Sequence, residues 1–460
     1  MRWIWLAIAL AACGGKHRPT PTLKPVVDSD PDGPHRAAIA AAVRPLIDGE
    51  ITSGIVVGVY DAGKREIYGF GKGPNGKPPD GTTLFELGSV TKVYTSLLLA
   101  DAVQRHEVTL DQPVSELLPP GVTVPTRDHR VITLKALALH TSGLPRVPPS
   151  LVATAAAGGD PYAHYGEDAL YADLVATRLE HAPDEIIVYS NYGTGLLGFA
   201  LGRKLGGGYA EVLTKRIVGP LGLANTYVRV PPAAQARVAI GTNDDLEPVS
   251  RWTFDALAGA GALVSNVRDQ LKLVEDELDA ASGSKEPLRP AMRLTQEAQL
   301  AKDGDNEGLG WQIDAAGRCW HNGETGGFHA YVGFDPKTRR GVVVLASTSL
   351  SLLDRVADDL YRVLAGETVT PQVMPAAEQL AAFAGTYDFT GDKVKVTADG
   401  KRLHVALSGT PPLRAIPVGD RTFWIDKLEA LAVFERDAAG KIARVVFVRG
   451  DRKVSAPRVE

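Results

Sequence analysis

The spacing of apolar and polar positions changes character several times along the chain. Residues 36–48 are Ala-rich with apolar positions at helical spacing, which predicts a helix; residues 55–60 and 65–70 then read as two strands joined by the turn Asp61-Ala62-Gly63-Lys64. A long middle section is helical and loop-rich, punctuated by Gly and Pro at Leu144-Pro145 and at Gly219-Pro220-Leu221-Gly222. Strand patterns return at 309–313, 318–321, 329–334 and 341–346, the last two joined by Asp335-Pro336-Lys337. An early hairpin and a late meander bracketing helices predict one antiparallel sheet built from both ends of a domain.

After a helix predicted over 352–364 and a break at 368–375, a second pattern begins. Val394 and Val396 alternate up to Asp399-Gly400, and Leu403, Val405 and Leu407 alternate after it, a hairpin signature. Val433-Phe434, Ala439-Gly440 and residues 442–448 repeat the idea. The expected architecture is therefore α+β: an antiparallel sheet flanked by helices, with a helical subdomain, over 36–367, followed by a small all-β domain over 376–460.

The length of 460 residues suits one large unit plus an appendage. The formal net charge is −4 with both signs mixed along the chain, which leaves no electrostatic footprint for nucleic acid. The start of the chain differs from the rest. Met1 and Arg2 form a minimal basic region, residues 3–10 are apolar, and Leu10-Ala11-Ala12-Cys13 places small residues before a cysteine, so residues 1–13 read as an export signal. The segment resembles the bacterial lipobox, which implies cleavage before Cys13, lipid attachment to its sulfur and a place in the cell envelope, on the periplasmic face, held to the membrane by that anchor. Residues 14–35, with prolines at 19, 21, 25, 31 and 34, suit a solvated linker. Cys319, the other cysteine, lies in a strand-like run beside Trp320, where a small buried hydrophobe is the expected role, and no internal disulfide is expected.

The sharpest chemical signal is Phe85-Glu86-Leu87-Gly88-Ser89-Val90-Thr91-Lys92, leading into an apolar helical run. Ser and Lys three residues apart share a helix face, with Ser89 at the N-terminal end where free N–H groups favour developing negative charge. Ser282-Gly283-Ser284-Lys285 has the same spacing, but it lies in a polar, Gly-containing run just before Pro287, where no stable helix could hold the pair. A second constellation is Tyr189-Ser190-Asn191: a phenol can relay protons and an amide can orient a carbonyl and an ammonium. A third is His321-Asn322-Gly323-Glu324 at a strand rim, where small residues let a substrate backbone lie along the edge. His/Cys/Asp clusters at metal spacing and Gly-rich phosphate loops are missing from the pattern, so no metal or cofactor is expected.

In this order the three motifs resemble those of the serine β-lactamase and penicillin-binding-protein superfamily, in its class C-like branch that includes D-Ala-D-Ala carboxypeptidases, D-aminopeptidases and some esterases. Ser89 to Lys92 is similar to Ser-x-x-Lys, Tyr189 to Asn191 to Tyr-x-Asn, and His321 to Gly323 stands where the family has Lys-Thr-Gly or His-x-Gly. Leu137-Ala138-Leu139-His140-Thr141-Ser142-Gly143-Leu144-Pro145 and Ile217-Val218-Gly219-Pro220-Leu221-Gly222-Leu223 also resemble family segments. The likeness covers about residues 38–365, and the C-terminal part resembles the small lipocalin-like β-barrels appended to such hydrolases.

The resemblance implies a β-lactamase/transpeptidase-like fold and an acyl-enzyme on Ser89, with Lys92 and Tyr189 moving protons and leaving open which is the base. It implies an oxyanion hole from the main-chain N–H groups of Ser89 and Glu324, and substrate contacts from Asn191, His321 and Asn322. His321, taken as partly cationic near neutral pH, weakens a β-lactamase reading relative to a peptidase or esterase. Glu324 either faces the cleft, disfavouring anionic substrates, or is an exposed strand charge. His140 is expected to fix its loop. The substrates implied are D-amino-acid-containing peptides, with peptidoglycan among them, or related amides, lactams and esters; a penicillin- or cell-wall-binding protein that does not turn over is the non-enzymatic alternative.

Overall fold

The computed structural model describes residues 33–61, 63–157, 159–302, 305–369 and 375–459. The export signal, Cys13 and nearly all of the expected linker lie outside the described residues. Two compact units emerge, one running from Thr52 to Ser349 and the other combining the segments 36–51 and 350–459.

The larger unit is organised on an eight-stranded sheet. Its strands are β1 (Gly54–Asp61), β2 (Lys64–Gly71), β5 (Leu300–Lys302), β6 (Asp305–Glu307), β7 (Gln312–Ile313), β8 (Cys319–Glu324), β9 (His329–Asp335) and β10 (Arg340–Ala346), in the order β2-β1-β10-β9-β8-β7-β6-β5. All neighbours are antiparallel. The early hairpin thus meets the late meander through β1 and β10, where Ile55 pairs with Ala346 and Tyr60 with Gly341. A separate pair, β3 (Phe85–Glu86) and β4 (Val264–Ser265), leads into the Ser89 segment. The sequence pattern anticipated a strand over 309–313; only Gln312–Ile313 pairs, and β5 and β6 extend the sheet beyond it. Those two strands are three residues each, too short to leave an alternation in the sequence.

Helices cover the sheet and bury one continuous core. The helix Thr91–Gln104 is buried on every side from Thr91 to Ala102, as a central helix must be. The helix Asn191–Lys204 starts where the Ser190 hydroxyl accepts the Gly193 N–H at 2.9 Å, a side-chain N-cap. Its glycines permit close packing: a Cβ at Gly198 would lie 2.9 Å from the Gly259 Cα. Ser282, in the rival Ser-x-x-Lys, caps the C-terminus of the helix Val267–Ala281, so its Lys285 lies beyond the helix.

In the second unit, strands β11 (Gly385–Phe389), β12 (Asp392–Ala398), β13 (Leu403–Leu407), β14 (Leu413–Gly419), β15 (Thr422–Ile425), β16 (Ala430–Arg436), β17 (Ile442–Arg449) and β18 (Arg452–Pro457) form an up-and-down antiparallel sheet. A bridge between Tyr387 and Arg458, with the Val459 N–H bonded to the Thr386 carbonyl at 2.8 Å, brings the last strand back to the first. The near-barrel interior is filled by side chains, among them Phe383, Phe423, Phe434 and Tyr387, with ring centroids 4.7–5.8 Å apart.

Candidate active site

Ser89 sits in the single 3-10 turn Gly88–Val90 that opens the helix Thr91–Gln104. The residue before it must be glycine for two reasons. Gly88 has φ +49°, and a Cβ there would lie 2.7 Å from the Glu324 nitrogen. From the other side, a Cβ on Gly323 would lie 2.5 Å from the Ser89 nitrogen. Two main chains from distant parts of the sequence are therefore in contact, and Ser89 N and Glu324 N are brought together. Beyond Trp320 the edge of β8 that faces away from β9 meets the Ser89 turn rather than another strand.

One helical turn on, Lys92 is 1 % exposed. Its Nζ lies 2.9 Å from Ser89 Oγ, 2.8 Å from Asn191 Oδ1 and 2.8 Å from the Ala260 carbonyl oxygen. Among the described residues no carboxylate lies within ion-pairing distance of it. Burial, assisted by the Arg146 charge, holds its pKa well below the usual lysine range. Two of its three partners can only accept. A neutral amine that donates to Asn191 and Ala260 must therefore turn its lone pair toward the Ser89 hydroxyl.

Tyr189 completes the group. Its half-buried ring lies with its centroid 4.9 Å from Lys92 Nζ, and the Ser89 hydroxyl is near enough to act on its phenol. Burial pushes the phenol up to about 12, partly offset by the Ser89 hydroxyl and by Arg146, so it is un-ionised at neutral pH. Asn191, at the first position of its helix, receives its orientation from Lys92 on the Oδ1 side and from Tyr162 on the other, with Nδ2 donating to the Tyr162 hydroxyl at 2.8 Å. Tyr162 in turn stacks on Phe254 at 4.5 Å and 23°.

Of the third motif, His321 is buried, and burial with the nearby Lys92 lowers its pKa to about 4. This corrects the expectation of a partly cationic imidazole: His321 is neutral near pH 7. Its Nδ1 is engaged by the Asn322 carbonyl. Asn322 is half-buried on β8, and Gly323 is buried against the Ser89 turn. The Glu324 carboxylate is 40 % exposed and accepts from Nδ1 of the fully buried His329 at 2.9 Å. Cys319 is buried, and its thiol is pushed up by that burial, consistent with a packing role.

Several contributors left little trace in the sequence. The Ala260 carbonyl acts through the main chain, which residue type does not report. Arg146 and Tyr162 lie in irregular segments without a recognisable spacing. His140, with φ +60°, accepts the Ser190 N–H on Nδ1 at 3.1 Å and lays its ring 4.4 Å from that of Tyr189. Glu86, three residues before the serine, is 4 % exposed and accepts the Trp252 N–H at 3.1 Å; burial raises its carboxyl to about 7.

Comparison with known proteins bears on the same region. The family model described as Beta-lactamase matches residues 39–367. The chain is 29% identical over 350 residues to the D-alanyl-D-alanine-carboxypeptidase/endopeptidase AmpH of Escherichia coli (strain K12), covering 72% of this chain and 89% of that protein. It is 28% identical over 363 residues to a beta-lactamase of Pseudomonas fluorescens, covering 70% and 96%. Among solved structures, a class C beta lactamase superposes with a TM-score of 0.63 at 24% identity, over 72% of this chain and 98% of that one.

Proposed function

Because the chain belongs to the beta-lactamase family and is a serine hydrolase of that family, we propose that it forms an acyl-enzyme on Ser89 and acts on peptides that end in a D-amino acid, or on related amides. The observation that carries this reading is the buried Lys92 amine held between Ser89 Oγ and two pure acceptors. In the proposed reaction the Ser89 O–H proton passes to Lys92 as Oγ bonds to the substrate carbonyl carbon. The carbonyl oxygen becomes an oxyanion that accepts from the main-chain N–H groups of Ser89 and Glu324. Collapse breaks the bond to the leaving amine, which takes a proton from Tyr189, and Lys92 returns the first proton to the phenol. Water then releases the acyl group by the reverse sequence. The un-ionised phenol favours Tyr189 as donor and Lys92 as base.

A peptidase is favoured over a β-lactamase by likeness to a carboxypeptidase/endopeptidase. Likeness to beta-lactamases at similar identity supports the lactam-hydrolysing alternative. Cell-envelope placement through a lipid on Cys13, with peptidoglycan as the substrate polymer, belongs to the same reading; a Cys13→Ala chain that stays in the membrane fraction would remove the anchor from it. The central test is intact-mass detection of a penicillin adduct, with a Ser89→Ala control, alongside turnover of a D-Ala-D-Ala peptide, a chromogenic cephalosporin and a p-nitrophenyl ester. Label on Ser89 with peptide turnover is expected. A permanent adduct without turnover of any substrate points to a binder, and neither adduct nor turnover ends the enzyme reading.

A further inference from the structure

The groups around Ser89 supply little permanent positive charge. His321 is neutral, and the buried Lys92 serves as a base only while its amine is neutral. Arg146 is different in kind, because a guanidinium stays protonated in any accessible environment. Its main chain is fixed at the site: the Arg146 carbonyl accepts the Asn191 N–H at 2.9 Å and the Tyr192 N–H at 3.3 Å. Its side chain is exposed, with Cζ 5.2 Å from the Tyr189 ring centroid. Among the described residues no carboxylate is paired with it. The acid of the third motif, Glu324, is engaged by His329, and Glu307 acts on the Tyr189 phenol without an ion pair to Arg146. An arginine whose backbone is anchored to the Asn191 helix, while its solvated guanidinium leans on the proton-donating phenol without a paired carboxylate, has the geometry of an anion receptor.

We infer that Arg146 recognises a carboxylate on the leaving-group side of the substrate, taking the part that a fixed cation at position 321 would otherwise play. The side follows from Tyr189: the leaving atom must reach that phenol to be protonated, and the guanidinium lies beside the same ring. The inference rests on the acyl-hydrolase reading above and narrows its substrates to those whose departing half carries a free carboxylate, as a C-terminal amino acid does. Cleft selectivity is then set outside the three motifs, by the residue that follows Leu144-Pro145.

The test uses the full chain and two aryl esters of one acid, whose phenol bears either a meta carboxylate or a meta carboxamide. Wild type should prefer the carboxylate ester by about 10- to 30-fold in kcat/KM, chiefly through KM, as a solvent-accessible charge-assisted contact would give. Arg146→Ala should abolish that preference, Arg146→Lys should retain part of it, and added salt should erode it in wild type. Equal losses on both esters in Arg146→Ala would mean that the side chain only props Tyr189, and absence of a preference in wild type would mean that no carboxylate is read; either overturns the inference. Ser89-dependent turnover of the carboxamide ester shows in those cases that the hydrolase reading survives. If wild type hydrolyses neither ester and takes no acyl label, both fail together.

Discussion

The two units bury polar groups in opposite ways. In the barrel, over the described residues 375–459, Asp426 is the buried charged side chain, and it accepts from Ser351 Oγ at 2.8 Å, Leu352 N at 3.2 Å and Trp424 Nε1 at 3.1 Å. The rest of its interior is aliphatic and aromatic. In the unit from Thr52 to Ser349, buried Asp101 and Asp276 are paired with Arg216 and Arg289, yet Lys92, Glu86 and Glu277 are buried without a salt bridge. Desolvating a charge without a counter-ion is unfavourable, and a fold selected for stability alone would replace it. The contrast teaches where to look for chemistry: at buried ionisable groups that local pairing leaves unexplained.

The largest expected effect comes from removing the base. Lys92→Met should lower acylation by about 10³-fold, the scale of general-base catalysis, while leaving unfolding free energy equal to or above that of wild type because an apolar side chain replaces a desolvated amine. Stopped-flow acylation and urea melts measure both. Loss of stability along with activity would place Lys92 among the structural residues and dissolve the contrast. In wild type the acylation rate should fall as pH drops through the depressed Lys92 pKa, since the protonated amine has no lone pair. The Tyr189 phenol, at about 12, should contribute no alkaline limb below that pH.

The opposite behaviour is expected of the barrel. Phe434 is fully buried and touches Phe383, Phe423 and Tyr387. Phe434→Ala should cost the barrel about 3–5 kcal/mol, as large-to-small changes in a packed aromatic core do. Acylation of Ser89 should change little, because every residue placed at the site lies in the unit from Thr52 to Ser349. A calorimetric scan in parallel with penicillin labelling checks this. Label lost in step with the barrel transition would show that the two kinds of core are one functional system.

How much of this contrast could be read in advance follows from its physics. Alternation at Val394, Val396, Leu403 and Val405 announced the barrel, because one face in and one face out is a local property of a strand. Ser89 with Lys92, and Tyr189 with Asn191, were legible because each pair is close in sequence and chemically distinctive. Charge state was not legible. His321 looks half-cationic as a residue type and becomes neutral only when β8 and the Ser89 turn bury it. Likewise the Ala260 carbonyl and the Arg146 guanidinium join the site through long-range packing that residue spacing does not encode.

Glu86 offers the smallest and most discriminating measurement, because it tests whether an unpaired buried acid outside the reaction centre also carries a stability cost. Its carboxyl titrates at about 7 in the folded chain against an ordinary 4.5, with burial as the leading cause. Between those two values the folded state holds a proton that the unfolded chain has lost, so stability falls as pH rises through that window. Well above pH 7 the deficit is complete, on the order of 3 kcal/mol from the size of the shift. Glu86→Gln keeps an oxygen for the Trp252 N–H and cannot ionise. Relative to wild type it should therefore gain stability on going from pH 5 to pH 8, by about that amount, in denaturant melts of the larger unit, while the barrel transition keeps its own pH dependence. A difference between variant and wild type that is the same at both pH values would show that Glu86 is solvated or paired in solution, and would remove it from the buried groups whose charge the chemistry must explain.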